Sequence, residues 1–366
     1  MASPQDEGPQ PGARPNGAEA PRPQRKGAAA APTKTVNLAL QGGGAHGAFA
    51  WGVLDKLLED GRLDIEGISA TSAGAMNAAV LASGFALGGR GGARTALAEF
   101  WQRIAQIAAA SPLQPSLLDR LSGNHRLDFN PAFQTFDLLS RLFSPYQFNP
   151  LNLNPLRCVL EQSVDFERLR TASPIKLFLS ATNVRSGKVR LFRNAEISPD
   201  AVMASACLPL LFQAVEIDGQ AYWDGGYMGN PAIFPLIYEC TSCDVVVVHI
   251  NPIARHEVPR TAAEILNRID EISFNSSLMR EMRAIAFVTR LIDQGSVKEG
   301  SMKRMLIHSI AAEEFMQTLG VNSKLNADWD FLTHLRDVGR AKAADWLARN
   351  FDHLTRQSTA DLDLYL

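Results

Sequence analysis

Cysteine is scarce, with four in 366 residues, and a chain of this length cannot be a disulfide-stapled scaffold on so few. Cys240 and Cys243 form a C-x-x-C, but no second pair or His-x-His lies near it, so they read as small core residues and no metal site is expected. Net charge is also missing: 36 basic against 38 acidic residues leave −2, which argues against a nucleic-acid binder working through a basic surface. Nor is there a clean apolar run of membrane-spanning length. Thr35–Leu54 and Gly67–Gly89 carry no charged residue, yet glycines interrupt both, as do Asn37, Gln41 and His46 in the first and Ser69, Thr71, Ser72 and Asn77 in the second. Buried strand–turn–helix units fit them better than a lipid-facing helix. The N-terminal charges are followed by no apolar h-region, so no secretory signal is read and a cytoplasmic protein is expected.

What is present divides the chain. Residues 1–34 hold seven of the 20 prolines, four consecutive alanines and no aromatic or branched aliphatic residue, a composition that cannot bury enough apolar surface to offset its ordering entropy. A disordered tail is expected there. Residues 35–252 read as the main domain and residues 253–366 as a helical extension. Within the main domain, residues 111–155 stand apart. Phe129, Phe133, Phe136, Phe143, Tyr146 and Phe148 fall within 20 positions, punctuated by Asn-Pro pairs at Asn130, Asn149 and Asn154. Helices packed on the core and a lid or acyl-chain groove are both open readings of this segment. No internal repeat is found.

The rhythm from residue 35 is strand, glycine turn, helix, repeated. Thr35–Gln41 alternates and is β-rich, meets Gly42-Gly43-Gly44, and passes into a helical period over Gly47–Asp60. Phe49, Val53, Leu54, Leu57 and Leu58 share one face of that helix, and Gly61 sits at its C′ position. Ile65–Thr71 is a second strand, running into Ser72-Ala73-Gly74 and an alanine-rich helix. Further strands are expected at Ile175–Asn183, Lys188–Phe192 and Asp244–Ile250, with hairpin turns at Ser186-Gly187 and Asp218-Gly219. The pattern is that of a layered α/β domain.

Three short motifs carry chemistry. Gly42-Gly43-Gly44-Ala45-His46-Gly47 also has dinucleotide-fingerprint spacing, but the next strand ends in Thr71-Ser72-Ala73-Gly74 without the acid a ribose requires, so that reading fails. Consecutive glycines before a helix instead aim backbone N–H groups at one point, as an oxyanion hole requires. Ala70-Thr71-Ser72-Ala73-Gly74 places a serine on a strand-to-helix turn, with small residues at −2 and +2 to relieve crowding. Alone, such a serine is commonly just a helix N-cap. Tyr222-Trp223-Asp224-Gly225-Gly226 sets a carboxylate after a hairpin strand, where a D-G turn is the bland alternative.

Taken in order, G-G-G-x-x-G, [GA]-x-S-x-G and D-G-G resemble the patatin-like phospholipases, lipid acyl hydrolases with a Ser–Asp dyad. The resemblance spans about Val36 to Ile250. It implies a three-layer α/β/α fold with a mostly parallel sheet, Ser72 as nucleophile and Asp224 as base. It also implies an oxyanion loop over Gly42, Gly43, Gly44, Ala45 and Gly47, with the Ala73 N–H adding to it. Gly74, Gly225 and Gly226 support the motifs. His46 stands where the family often has Arg or Lys, and Ala70 replaces the first glycine of the serine motif. His249 keeps open a Ser72–Asp224–His249 triad in the chain order of α/β-hydrolases. The implied substrate is a lipid ester, met at a membrane surface by transient contact, with no cofactor and no nucleic acid. Hydrolysis of another acyl ester (an intracellular polyester or a thioester) and a non-catalytic lipid- or partner-binding scaffold are the alternatives.

Overall fold

In a computed structural model, residues 1–3, 33–109, 134–135, 139–140, 142–255, 257–298 and 300–366 are described. Residues 4–32 of the tail expected over 1–34, and much of the aromatic segment expected over 111–155, therefore lie outside the described residues, while Lys34, expected in the tail, opens the first strand. Phe143 and Tyr146, which are described, are exposed.

The strands are β1 (Lys34–Leu40), β2 (Leu63–Thr71), β3 (Lys176–Asn183), β4 (Val189–Arg193), β5 (Val215–Ile217), β6 (Gln220–Asp224), β7 (Asp244–Val248) and β8 (Leu306–Ile310). They form one sheet in the order β5-β6-β3-β2-β1-β7-β8, with β4 also on β3. The five strands β3, β2, β1, β7 and β8 are parallel neighbours. The hairpin partners β4, β5 and β6 run antiparallel. At the β5–β6 turn Asp218 and Gly219 both have positive φ (50° and 71°), the backbone a two-residue hairpin of this hand requires.

Apolar residues serve both faces of the sheet, because side chains alternate along a strand. Leu38, Leu40, Val246 and Val248 point into one buried cluster, and Ala39, Val245 and Val247 into the other. The first cluster is closed by α1 (Gly47–Asp60) and α2 (Ala73–Ala109), the latter broken at Gly88–Gly89. It is completed by α3 (Trp329–Asn350). The second cluster is closed by α4 (Phe234–Glu239) and the long α5 (Ala262–Asp293). Helices thus lie on both sides of a mostly parallel sheet, the expected three-layer α/β/α class.

Two differences from the sequence reading share one cause. The last third contains a strand as well as helices, since β8 extends the sheet beside β7. The helix α1 is not amphipathic in practice: Trp51, Gly52 and Asp55 are all buried, because α3 packs across its outer face. Asp55 is there held by Arg94 and Arg340, and Glu59 joins both arginines. Residues 33–366 form one compact unit in which the C-terminal elements share the core.

The α1–α3 crossing depends on two glycines. A methyl group on Gly52 would overlap the Arg336 carbonyl, and one on Gly339 the Phe49 carbonyl. Backbone cannot yield as a flexible side chain does. Gly52→Ala is therefore expected to destabilise the protein by about 2 kcal/mol or more, whereas Gly91→Ala, with open space around it, is expected to be neutral or slightly stabilising. Urea midpoints of the two variants check this; equal midpoints would mean the helices do not meet through Gly52.

Candidate active site

Three loops leave the carboxyl ends of adjacent parallel strands, where open α/β sheets form their crevices. Gly42–Gly47 follows β1, Ser72 follows β2, and His249–Asn251 follows β7. The fourth element arrives by register. Along one edge β3 carries β4; along the other it carries first β2 and then β6, with Thr71 opposite Ser180 and Asp224 opposite Ala181. The end of β6 thus takes over where β2 stops, and the structure brings Ser72 and Asp224 together.

Ser72 has φ 56°, the left-handed region a side chain rarely enters, and α2 begins at the next residue. Only small neighbours allow the turn. A Cβ on Gly42 would stand 2.6 Å from Ser72 Cβ, and one on Gly74 2.5 Å from the Leu40 carbonyl oxygen. Ala70 is buried inside β2, where its methyl group packs in the core. The Ser72 N–H donates to Ser205 Oγ at 2.9 Å, fixing the turn from the side of the short helix Pro199–Ser205.

Asp224 is fully buried. Its N–H donates to the Cys207 carbonyl (2.8 Å), and its carbonyl accepts from Thr182 Oγ1 (2.8 Å). Oδ1 accepts the Gly226 N–H at 2.7 Å, while Oδ2 is buried without a hydrogen-bond partner. Desolvation raises its pKa to about 7, against the Gly226 N–H, the Ser72 hydroxyl and the Lys324 charge, which favour the ionised form. Gly225 and Gly226 are required by space: side chains there would meet the Ser180 carbonyl and the Phe274 ring.

The glycine loop separates into two kinds of N–H. That of Gly42 donates to Asn230 Oδ1 (2.7 Å), and that of Gly47 bonds back to Gly44. Those of Gly43, Gly44 and Ala45 find no protein acceptor among the described residues, and neither does that of Ala73 at the start of α2. His46 is buried, its Nε2 2.7 Å from Ser323 Oγ, and burial followed by the Lys324 charge lowers its pKa to about 3. The imidazole is neutral. His249, the candidate third member of a triad, instead shares its Nε2 with the Tyr365 hydroxyl at 2.6 Å. Its Nδ1 is buried without a partner, and burial alone lowers its pKa to about 4.

Sequence reasoning missed Asn230, Ser205, Asn251 and Lys324. Asn251 Nδ2 donates to the Gly42 carbonyl (2.8 Å) and its Oδ1 accepts from Lys324 Nζ (3.0 Å). None sits in a motif, and only folding brings these distant positions to the loop. Among the described residues, no cluster of three or more His, Cys, Asp or Glu side chains is arranged to hold a metal ion.

The family model for patatin-like phospholipases matches residues 38–237, more than half of the chain. The chain belongs to the patatin-like phospholipase family. No curated protein matches it. Among solved structures, VipD from Legionella pneumophila is 15% identical with a TM-score of 0.34, covering 82% of this chain and 66% of its own. The ExoU–SpcU complex from the type III secretion system of Pseudomonas aeruginosa gives 15%, 0.32, 88% and 52%. The type III effector ExoU alone gives 16%, 0.31, 87% and 54%. The chain thus spans roughly half to two thirds of these solved chains, and at such scores they add nothing to the family match.

Asn230 offers a direct check on the loop. Asn230→Ala leaves the Gly42 N–H buried and unpaired, which is expected to cost about 1–3 kcal/mol. A urea midpoint equal to that of the unaltered protein would show that the bond does not hold the loop.

Proposed function

We propose that the protein is a serine hydrolase of carboxylic esters in lipids, with phospholipids and lysophospholipids as its substrate class. The observation that carries the reading is Ser72 itself: a serine at positive φ between a strand and a helix, beside a buried carboxylate and backbone N–H groups that find no protein acceptor among the described residues. Strain of this kind persists only where the surroundings over-determine it, and it clusters at active sites.

Asp224 takes the proton of Ser72 as Oγ attacks the ester carbonyl. The carbonyl oxygen becomes an oxyanion held by N–H groups from Gly43, Gly44, Ala45 and Ala73, while Gly42 and Gly47, whose N–H groups are already bonded, shape the loop. When the tetrahedral centre collapses, the carbon–oxygen bond to the alcohol breaks and Asp224 returns the proton to that alcohol. Water then attacks the acyl-serine, giving its proton to the same carboxylate, and the fatty acid leaves as Ser72 regains its hydrogen. A carboxylate of ordinary pKa is a poor base for a hydroxyl. The dry position that lifts Asp224 to about 7 improves the match. His249, bonded to Tyr365, takes no part, so a dyad is preferred to a triad. Contact with the lipid surface is peripheral in this reading; among the described residues no helix is long and apolar enough to cross a membrane.

The test is fluorophosphonate labelling of the purified chain, followed by fatty-acid release from phospholipid vesicles and from short-chain esters. Ser72→Ala is expected to lose labelling and turnover, and Asp224→Asn to lose at least about a hundredfold in rate, within the usual span for a general base. His249→Gln is expected to keep most of its rate. A folded, unaltered protein that neither labels nor releases acid would favour a binding scaffold. Because Asp224 must be ionised to act, kcat/KM is expected to rise with pH through about 7 and level off above it. A profile already flat from pH 5 upwards would contradict Asp224 as the base.

A further inference from the structure

The peptide group between Gly42 and Gly43 is gripped by a residue outside every sequence motif and beyond the family-matched stretch 38–237. The Gly42 carbonyl accepts from Asn251 Nδ2 at 2.8 Å, while the N–H of the same residue donates to Asn230 Oδ1 at 2.7 Å. In a planar trans peptide the N–H points away from the carbonyl. A Gly42 carbonyl turned to Asn251 therefore sets the Gly43 N–H on the opposite side, where it finds no protein acceptor among the described residues. The loop lies against the nucleophile here, since a Cβ on Gly42 would stand 2.6 Å from Ser72 Cβ.

Glycine on both sides of this peptide lets it adopt either orientation, so the loop by itself does not select one. The selection comes from Asn251, which is fixed through both side chain and backbone. Its Oδ1 accepts from Lys324 Nζ at 3.0 Å, and its N–H donates to Gln41 Oε1 at 3.0 Å. An ammonium group can only donate and a peptide carbonyl can only accept, so these two partners dictate which end of the amide faces which. Gln41 Oε1 also accepts the Ile250 N–H at 2.9 Å, and its Nε2 donates to Asn275 Oδ1 at 3.1 Å. Asn275 Nδ2 donates in turn to the Pro252 carbonyl at 3.0 Å. Gln41, Asn251 and Asn275 are all buried, and buried amides whose bonds are made hold one geometry because breaking any of them is costly.

Resting on the serine-hydrolase reading above, we propose that Asn251 is a positioning residue for catalysis: its amide, oriented by Lys324, holds the Gly42–Gly43 peptide so that the Gly43 N–H is presented to the oxyanion. Asn251 does not touch the substrate ester in this scheme; it acts through Gly43.

The experiment measures kcat and KM on p-nitrophenyl butyrate, together with inhibition by an alkyl trifluoromethyl ketone. The ketone adds to a serine hydroxyl as a hemiketal whose oxyanion sits where that of the ester would form. Fluorophosphonate labelling taken to completion counts the reactive serines, so kcat is expressed per labelled site. Asn251→Asp keeps the size of the side chain and an acceptor for Lys324, but it removes the donor and sets a carboxylate against the Gly42 carbonyl. It is expected to lower kcat about a hundredfold, as the loss of one oxyanion-hole donor does. KM is expected to stay within about threefold, with ketone binding weakened in step with kcat/KM. Should that variant fail to fold by circular dichroism, Asn251→Ala, which removes the donor without adding charge, carries the same comparison. A merely structural role would lower the labelled fraction and leave kcat per labelled site and ketone affinity unchanged, which would overturn the proposal and leave the dyad intact. An unaltered protein that neither labels at Ser72 nor hydrolyses the ester would overturn both.

Discussion

The rest of the site depends on a steric constraint at one turn. The chain must pass from β2 into α2 within a single residue, and Ser72 absorbs the change by taking a positive φ. That conformation drives its Cβ toward the loop after β1, where Gly42 leaves room, and it lays the first turn of α2 against the Leu40 and Gln41 carbonyls, where Gly74 leaves room. The strain is carried by neighbours that bind the backbone tightly. Ser205 accepts the Ser72 N–H, and Asn77 ties α2 to the Gly47 carbonyl at 2.9 Å. Glycine appears in these motifs because backbone meets backbone, and a single methyl group would separate the parts.

Electrostatics form the second layer. A carboxylate enclosed by protein loses hydration, and its charged form is penalised unless donors replace the water. Asp224 receives one backbone donor on Oδ1 and leaves Oδ2 buried without a bonded partner. The same burial that raises Asp224 lowers His46 and His249, so the two histidines nearest the strand ends stay neutral. Lys324 Nζ donates to Asn251 Oδ1 beside the glycine loop.

The C-terminal region is integral to this arrangement. β8 completes the sheet, α3 covers α1 through Gly52 and Gly339, and Ser323, Lys324 and Asn251 brace the glycine loop from behind. At the far end Tyr365 closes over His249, and His308 is locked between Asp244 and Thr359 inside the sheet. Contacts of this kind make residues beyond the family-matched stretch part of the same core.

Much was legible in sequence because its cause is local. The G-G-G-x-x-G run, the small residues flanking Ser72 and the D-G-G turn each report a nearby backbone requirement. Alternation and apolar runs report strands buried on one face or both, and β1, β2, β3 and β7 fall close to where periodicity places them. The strand Leu306–Ile310 was not legible. Five residues with a central histidine have too short a period to stand out among helices, and His308 is tolerated there only because Asp244 and Thr359 satisfy its nitrogens. The outer face of α1 was not legible either, since Asp55 is enclosed there by Arg94 and Arg340, which come from distant helices. The division of labour among the loop N–H groups also lay beyond sequence: Gly42 is spent on Asn230, a residue 188 positions away. Sequence by itself determined where the backbone strain falls, because steric demand acts between chain neighbours. Which groups surround Asp224 and which residue binds the Gly42 N–H were decided by tertiary structure alone, because hydrogen bonding and packing act through space between residues that only the folded sheet brings together.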